Sequence, residues 1–412
     1  MNLSRIRRDE AALARLAWGA IALYLGGLAI ASALRYQGDF AIYYRAGQRV
    51  WLGASLYPAN EGDRFLYAPV FALLFAPLSL LPRPAAQVLW FVPNALALLA
   101  LIRGAGRMLF GAQRRLPAAL VVLPTLFCAR FIDNNVEHGQ LDLLVLALAV
   151  WAIVKARENR FAAAGALLAP ALLSKPLALS GALYLLATRR WRAILFTGLF
   201  VAVLLVLPAV FLGPRRAAAE TVGYVRAVHS MTSRYRRTIT NQAAGAVVFR
   251  ALSRPGEDSA RAARVASVVG AGYALIAFLG LWAWLAKSEF SAVDNLRRRL
   301  ALGALFSLAP SLSAIAWKHY YVALIVPYMA LLSALWVDRP AEQRAPRSAR
   351  LLFVSSIALN LASGNALNRF ALFYGAHLLS SLAALAALGV TGCAIASREG
   401  QHGTECRGSA AS

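Results

Sequence analysis

Acidic residues are scarce in this chain. Asp and Glu number 18 in 412 residues against 43 Lys and Arg, leaving a formal charge of +25. Charged residues of both signs make up 15% of the chain, well under the quarter or so of an ordinary soluble domain. A soluble globular protein is therefore excluded. The three cysteines, Cys128, Cys393 and Cys406, show neither pairing nor metal spacing and read as inert. No acidic pair is placed as an obvious metal-ligand set, so neither a metal nor a cofactor is expected. The chain has no P-loop, no GxGxxG after a strand and no HExxH. No soluble stretch is large enough to hold a nucleotide. An enzyme built this way draws its activated substrate from the lipid. There is also no tandem repeat at a fixed period.

What is present is apolar sequence. The chain is 60% hydrophobic, with a mean hydropathy of +0.59. The apolar residues form blocks of the length needed to cross a hydrocarbon core of about 30 Å, with short charged stretches between them. The arginines lie between these blocks and not on one basic domain. That pattern reads as membrane topology and excludes a nucleic-acid partner. The N-terminus MNLSRIRRDEAALAR resembles a signal-peptide n-region. The apolar run from Leu16 to Leu34 is too long for an h-region and lacks a small-residue cleavage site, so it is expected as an uncleaved first span.

With the basic N-terminus inside, the first span exits near Arg35. The stretch from Tyr67 to Pro82 is apolar but short, with prolines at 69, 77 and 82. If it crossed, the basic clusters after it would fall outside. If it lies along the membrane as a juxtamembrane helix, six clusters fall inside, from Arg103 and Arg107 through Arg189 and Arg190 to Arg347 and Arg350. The second arrangement is adopted. The remaining spans are expected near 86–103, 117–131, 140–154, 161–174, 177–188, 193–212, 263–286, 300–315, 320–336, 351–363 and 371–396. The fold expected is an all-α polytopic membrane protein of about twelve transmembrane helices with both termini cytoplasmic. Residues 1–398 form one transmembrane domain with a first outer loop over 36–85 and a second over 213–262. Short outer turns hold Asp133 to Gln140, Ser174 to Pro176 and Trp317 to Tyr320. The polar tail over 399–412 is expected to be disordered.

Candidate chemistry lies on the outer side. Asp39 follows the first span in GDFAIYYRAG. It is either a base able to take a proton from a hydroxyl or the cap of the helix that FAIYYRAGQRV begins. His138 and Gln140 follow Asp133, Asn134, Asn135 and Glu137; the cluster suits a sugar or an ion, or is a hydrated turn. Lys175 interrupts two apolar runs in LLSKPLAL. A cation at membrane depth is a functional candidate and suits a phosphate as a point charge, against a lysine snorkelling to the interface. His319 lies in AIAWKHYYVALIVPY, either at a cavity mouth, where it would hydrogen-bond a phosphate or sugar, or in an interfacial aromatic belt. The arginines between Gly213 and Arg261 suit anionic headgroups or a pyrophosphate-like ligand, or reflect a genome that uses arginine freely.

The stretches DFAIYYRAGQRVWLGASLYPAN and FLYAPVFALLFAPLSLLP resemble the start of glycosyltransferase family 87. So do HGQLDLLVLAL at 138–148, TNQAAGAVVFR at 240–250 and KHYYVALIVPY at 318–328, in that order. The likeness runs from about residue 37 to 328. The family's Gly-Gln is usually followed by Asn, where this chain has Leu141 and Asp142. The resemblance implies a GT-C-type fold and an inverting transfer on the outer face of a bacterial inner membrane. The donor would be a polyprenyl-phosphate hexose, mannose being the family's best-known sugar. The acceptor would be a lipid or a glycan, and membrane lipids the surroundings. It makes Asp39 the catalytic base. Lys175 and His319 become candidates for the donor phosphate. Tyr43, Tyr44, Tyr57 and Tyr67, with His138, Gln140, Asn241 and Gln242, become candidate substrate contacts. Two other classes share the layout: a secondary transporter, and a ligase or polymerase moving whole glycans from a lipid pyrophosphate. Unlike halves and the scarcity of intramembrane acids, with Asp142 the chief candidate for a proton relay, weigh against the transporter.

Overall fold

The computed structural model describes residues 3–34, 38–58, 61–62, 64–112, 116–253, 259–289, 295–337, 346–362 and 368–409. Arg35, one of the residues used to orient the chain, lies outside them. Every regular element among the described residues is helical.

Helix α1 (Leu3–Leu34) carries the first apolar run. Helix α2 (Gly38–Leu52) follows closely, with Asp39 in its first turn, where exposed N–H groups favour a carboxylate. Helix α3 (Pro69–Phe75) opens with a proline, which needs no N–H partner at that position. Its seven residues rise only about 10 Å, a third of the hydrocarbon thickness, so this helix is too short to cross. Helix α4 (Arg83–Phe110) is long. Helices α5 (Ala118–Phe127) and α6 (Ala129–His138) meet at Cys128 with a 61° bend. A turn was expected over 133–140, but the chain stays helical to His138. The reason is amphipathicity: α6 buries Phe131, Ile132, Asn135 and Val136.

Helices α7 (Asp142–Arg157), α8 (Phe161–Ser174) and α9 (Leu179–Ala187) are short. Helix α7 packs against both α4 and α8. Helix α10 (Trp191–Leu212) packs on α8 so closely that a Cβ at Gly165 would fall 2.6 Å from the backbone carbon of Phe196. Such contact is how helices associate where lipid supplies no hydrophobic drive. The expected outer loop over 213–262 is largely helical, formed by α11 (Pro214–Tyr235) and α12 (Ala244–Leu252). Helices α13 (Ala260–Glu289) and α14 (Asn295–Leu308) follow. A 3-10 segment over Lys318–Leu324 leads into α15 (Ile325–Leu332), which ends in one π turn over Ser333–Val337. Helices α16 (Arg347–Ala362), α17 (Asn368–Phe373) and α18 (Ala376–Ser409) complete the chain. The tail expected to be disordered continues α18 as far as Ser409; no proline is there to stop it.

Among the described residues, five helices are long and apolar enough to cross a membrane, and a sixth if the bent pair α5–α6 counts as one span. The other expected spans correspond to shorter helices or, in α1, to a shorter apolar stretch over Arg15–Ala31. The long ones divide into two kinds. In the apolar stretches of α10 and α13, 11% of residues are buried, against 89% over Lys318–Val337. Helix α10 exposes Leu195, Leu199, Val203, Val206, Val210 and Phe211. An apolar face this long is untenable in water, so the molecule is embedded in lipid with the 318–337 segment at its centre.

Candidate active site

A cavity of about 620 Å³ opens where α2, the α6–α7 junction, the α8–α9 break, α11 and the 318–324 segment converge. Two of its walls owe their position to a local break in helix. Gly139 adopts the left-handed conformation, φ 69°, ending α6. The Gln140 amide then reaches back to the Asn135 carbonyl at 2.8 Å, and the Gly139 amide to Val136 at 3.0 Å. This paired closure turns the chain sharply and leaves Gln140 in the cavity wall. The Asn135 side chain accepts the Asp142 amide at 3.1 Å, capping the start of α7. Pro176 cannot continue α8, and Lys175 before it is extended at φ −148° and ψ 146°. The lysine thereby enters the interior.

Four side chains form a continuous line. Gln140 Nε2 donates to Asp39 Oδ2 at 2.5 Å. Lys175 Nζ donates to Gln140 Oε1 at 2.6 Å and to Asp142 Oδ2 at 2.8 Å. Lys175 and Asp142 are both buried, so each charge depends on the other for compensation. The ammonium also lies 4.8 Å from the centre of the Tyr320 ring. Tyr43 and Tyr67 share a hydrogen bond at 2.9 Å, and their hydroxyls lie 3.3 and 3.4 Å from Gln140 Oε1, so that one donates to its neighbour and the other to the amide oxygen.

On the other side, His319 Nε2 stands 3.6 Å from Asp142 Oδ2, and its Nδ1 is 3.3 Å from Asn134 Oδ1. His138 Nδ1 lies 2.9 Å from the Asn134 carbonyl, and the two histidine rings are 6.5 Å apart. His319 Nε2 and Asp142 Oδ1 are buried without a hydrogen-bond partner. Lys318 also lines the cavity, as does Arg64, whose Nη1 donates to Ser230 Oγ at 3.0 Å. Among the described residues, no group of three or more His, Cys, Asp or Glu is placed to hold a metal ion.

The structure thus brings Asp39, Tyr43, Tyr67, His138, Gln140, Lys175 and His319 to one cavity. Four other expected contacts lie away from it. Tyr44 donates to the Leu81 carbonyl at 2.7 Å, tying α2 to the segment after α3. Tyr57 donates to the Tyr67 carbonyl at 2.5 Å and stands behind the Tyr67 wall. Asn241 and Gln242 are fully buried behind the opposite wall. Asn241 Oδ1 accepts the amides of Ala243 and Ala316, both at 3.0 Å. Gln242 Nε2 donates to the carbonyls of Ile239 at 2.7 Å and Leu372 at 2.8 Å. Arg250 Nη1 adds bonds to the carbonyls of Asn241 at 2.7 Å and Thr238 at 3.0 Å. Burial pushes the Arg250 guanidinium down to about 10. These amides hold backbone where it leaves its helices.

Sequence reasoning missed Arg64 and Lys318, and the pairing of Asp142 with Lys175. Lys318 stands next to His319 in an already conspicuous stretch. Asp142 sits where the chain departs from the usual Gly-Gln-Asn pattern. Arg64 had no sequence signal.

A carboxylate at the mouth of a polar cavity, inside an all-helical bundle whose outer helices face lipid, defines a membrane-embedded protein equipped to act on lipid-borne molecules. The model of glycosyltransferase family 87 matches residues 65–311. The chain belongs to that family. It is 29% identical over 361 residues to the polyprenol-phosphate-mannose-dependent alpha-(1-2)-phosphatidylinositol pentamannoside mannosyltransferase of Mycolicibacterium smegmatis (strain ATCC 700084 / mc(2)155), covering 85% of this chain and 78% of that one. It is 28% identical over 283 residues to the protein of the same name from Mycobacterium tuberculosis (strain CDC 1551 / Oshkosh), covering 68% of this chain and 60% of that one. No solved structure matches.

Proposed function

We propose that this protein is an inverting glycosyltransferase that moves a hexose, mannose first among candidates, from a polyprenyl-phosphate donor to a lipid or glycan acceptor. The observation that carries this reading is the placement of Asp39 in the first turn of α2, opening on the same cavity as Lys318 and His319. A base and a set of cationic and imidazole groups around one cavity are what a single displacement at a phosphorylated sugar needs. Both relatives' names specify polyprenol-phosphate-mannose, which supports that donor class. Their names also specify a phosphatidylinositol pentamannoside, which fits an acceptor that is itself a glycolipid.

Asp39 takes the proton of the acceptor hydroxyl. The oxygen attacks the anomeric carbon from the face opposite the phosphate, forming the new glycosidic bond as the bond to the phosphate oxygen breaks. The polyprenyl phosphate leaves with that electron pair, and the configuration inverts. No general acid is needed, because a phosphate leaves as an anion once its charge is stabilised. His319 Nε2, buried without a partner, and the Lys318 ammonium are suited to that role. Tyr43 and Tyr67 offer aromatic faces to a sugar. The prenyl chain lies in a groove between lipid-facing helices.

The same reading takes the bundle as GT-C-type, with about twelve crossings once the short helices are counted, and residues 1–398 as one domain. Helix α3 lies along the outer surface of a bacterial inner membrane, the cavity opens outward and both termini face the cytoplasm. Short helices are tolerated at membrane depth where protein and not lipid surrounds them, and α7, α9 and the 318–324 segment are largely buried. The test is a transfer assay in lipid, with radiolabelled polyprenyl-phosphate-mannose and a crude lipid acceptor extract. Label appearing in a new lipid is the expected outcome. Label remaining in the donor, with transfer from a lipid-pyrophosphate glycan instead, would make the protein a ligase.

A further inference from the structure

The geometry points to Lys175 and Asp142 as positioning residues that aim the catalytic carboxylate through the amide of Gln140. This rests on the reading of Asp39 as the base and gives a buried ion pair a part in it. A lysine ammonium has only hydrogens to give, and an ionised carboxylate can only accept. Along the line Asp142, Lys175, Gln140, Asp39, the glutamine amide is the one group that does both. Lys175 Nζ stands 2.6 Å from Oε1, and Asp39 Oδ2 stands 2.5 Å from Nε2. Turning the amide over would set NH2 against the ammonium and carbonyl oxygen against the carboxylate. Only one orientation is possible, and the lysine enforces it.

The paired hydroxyls of Tyr43 and Tyr67 reinforce the same choice, since one of them donates to Oε1. The backbone adds the rest. Gly139 delivers Gln140 to the wall, and Asn135 Nδ2 holds the Gln140 carbonyl at 3.4 Å. Lys175 is held extended by the proline that follows it. Its charge is compensated at 2.8 Å by Asp142, a side chain with no exposure to solvent. Two of the three Lys175 N–H groups are therefore committed and its charge is matched by Asp142, which leaves it less available to a donor phosphate than Lys318. What the line delivers is one N–H on one oxygen of Asp39. That bond fixes the rotamer of the carboxylate and thus where its other oxygen meets an acceptor hydroxyl. Misplacing a reacting group by about 1 Å can cost about 100-fold in rate.

The experiment measures kcat and donor KM in lipid for wild type, Gln140→Leu, Gln140→Glu, the charge-free pair Lys175→Met/Asp142→Leu, and the triple variant carrying that pair with Gln140→Leu. Removing both charges together avoids leaving one buried alone. Asp39→Asn serves as the reference for the base. The expected result is a fall in kcat of about 100-fold for Gln140→Leu and about tenfold for the pair, with donor KM within about threefold throughout. The triple variant should be no slower than Gln140→Leu, because Lys175 reaches Asp39 only through that amide. Gln140→Glu keeps a partner for Lys175 and so folds whether or not the pair variant does. Assayed at a pH where both carboxyls are ionised, it offers Asp39 no hydrogen and should lose kcat like Gln140→Leu. A donor KM raised about tenfold or more by the pair, or losses that multiply in the triple variant, would overturn the proposal and return Lys175 to the phosphate. Should the pair fail to fold, Gln140→Glu decides: kcat within about twofold of wild type overturns the proposal. Full activity in Asp39→Asn would instead remove the base reading beneath it.

Discussion

Two buried polar clusters face each other across the wall of this cavity, and they are built in opposite ways. In one, Asp39, Gln140, Lys175 and Asp142 bond to one another through side chains, and polar atoms of Asp142 and His319 remain unpaired. In the other, Asn241, Gln242 and Arg250 bond mainly to backbone, taking up carbonyls and amides at the ends of α11, the 313–317 segment and α17. Lys175 apart, both clusters lie in stretches that resemble one family, so resemblance alone gives them equal standing. The partners tell them apart. Side chains saturated by backbone do the work of secondary structure, whereas unpaired polar atoms beside a cavity are what a substrate would complete.

The largest effect is expected in the open cluster. Asp39→Asn should reduce turnover by about a thousandfold, in the range typical of a lost general base, with an unchanged melting temperature; transfer rates and thermal denaturation in the same lipid check both. In the closed cluster, Arg250→Met should destabilise by about 3 kcal/mol, since several buried carbonyls lose their donor together. Turnover per folded molecule should stay within about twofold of wild type. Lys318→Gln sharpens the contrast on the cavity side. Loss of one charge-assisted contact to a phosphate should raise donor KM about tenfold at nearly constant kcat. The smallest effect belongs to Gly139→Ala. The left-handed φ there should cost about 1 kcal/mol, enough to lower the melting temperature by a few degrees.

Much of this molecule was legible in advance, and the parts that were not have physical causes. Apolar blocks and basic clusters gave the membrane protein, because lipid imposes length and charge rules on every span. Asp39 and Lys175 were conspicuous as charges beside long apolar runs. Crossings were harder to read. The bounds of α7 and α9 were read closely, but these helices are enclosed by protein and owe nothing to bilayer thickness, so hydropathy does not say whether they cross. The α6 segment read as a turn because its polar residues outnumber its apolar ones, although the apolar ones share a face. The clusters themselves could not be separated from sequence. Whether an asparagine bonds to backbone or waits for substrate depends on segments seventy or more residues away, such as Ala316 opposite Asn241.

The most direct measurement is turnover per folded molecule and melting temperature for Asp39→Asn and Arg250→Met, side by side in the same lipid with labelled polyprenyl-phosphate-mannose. The account predicts opposite outcomes: a stable, inactive Asp39→Asn protein, and an unstable Arg250→Met protein that turns over normally while folded. An Asp39→Asn protein that transfers sugar at the wild-type rate would contradict it.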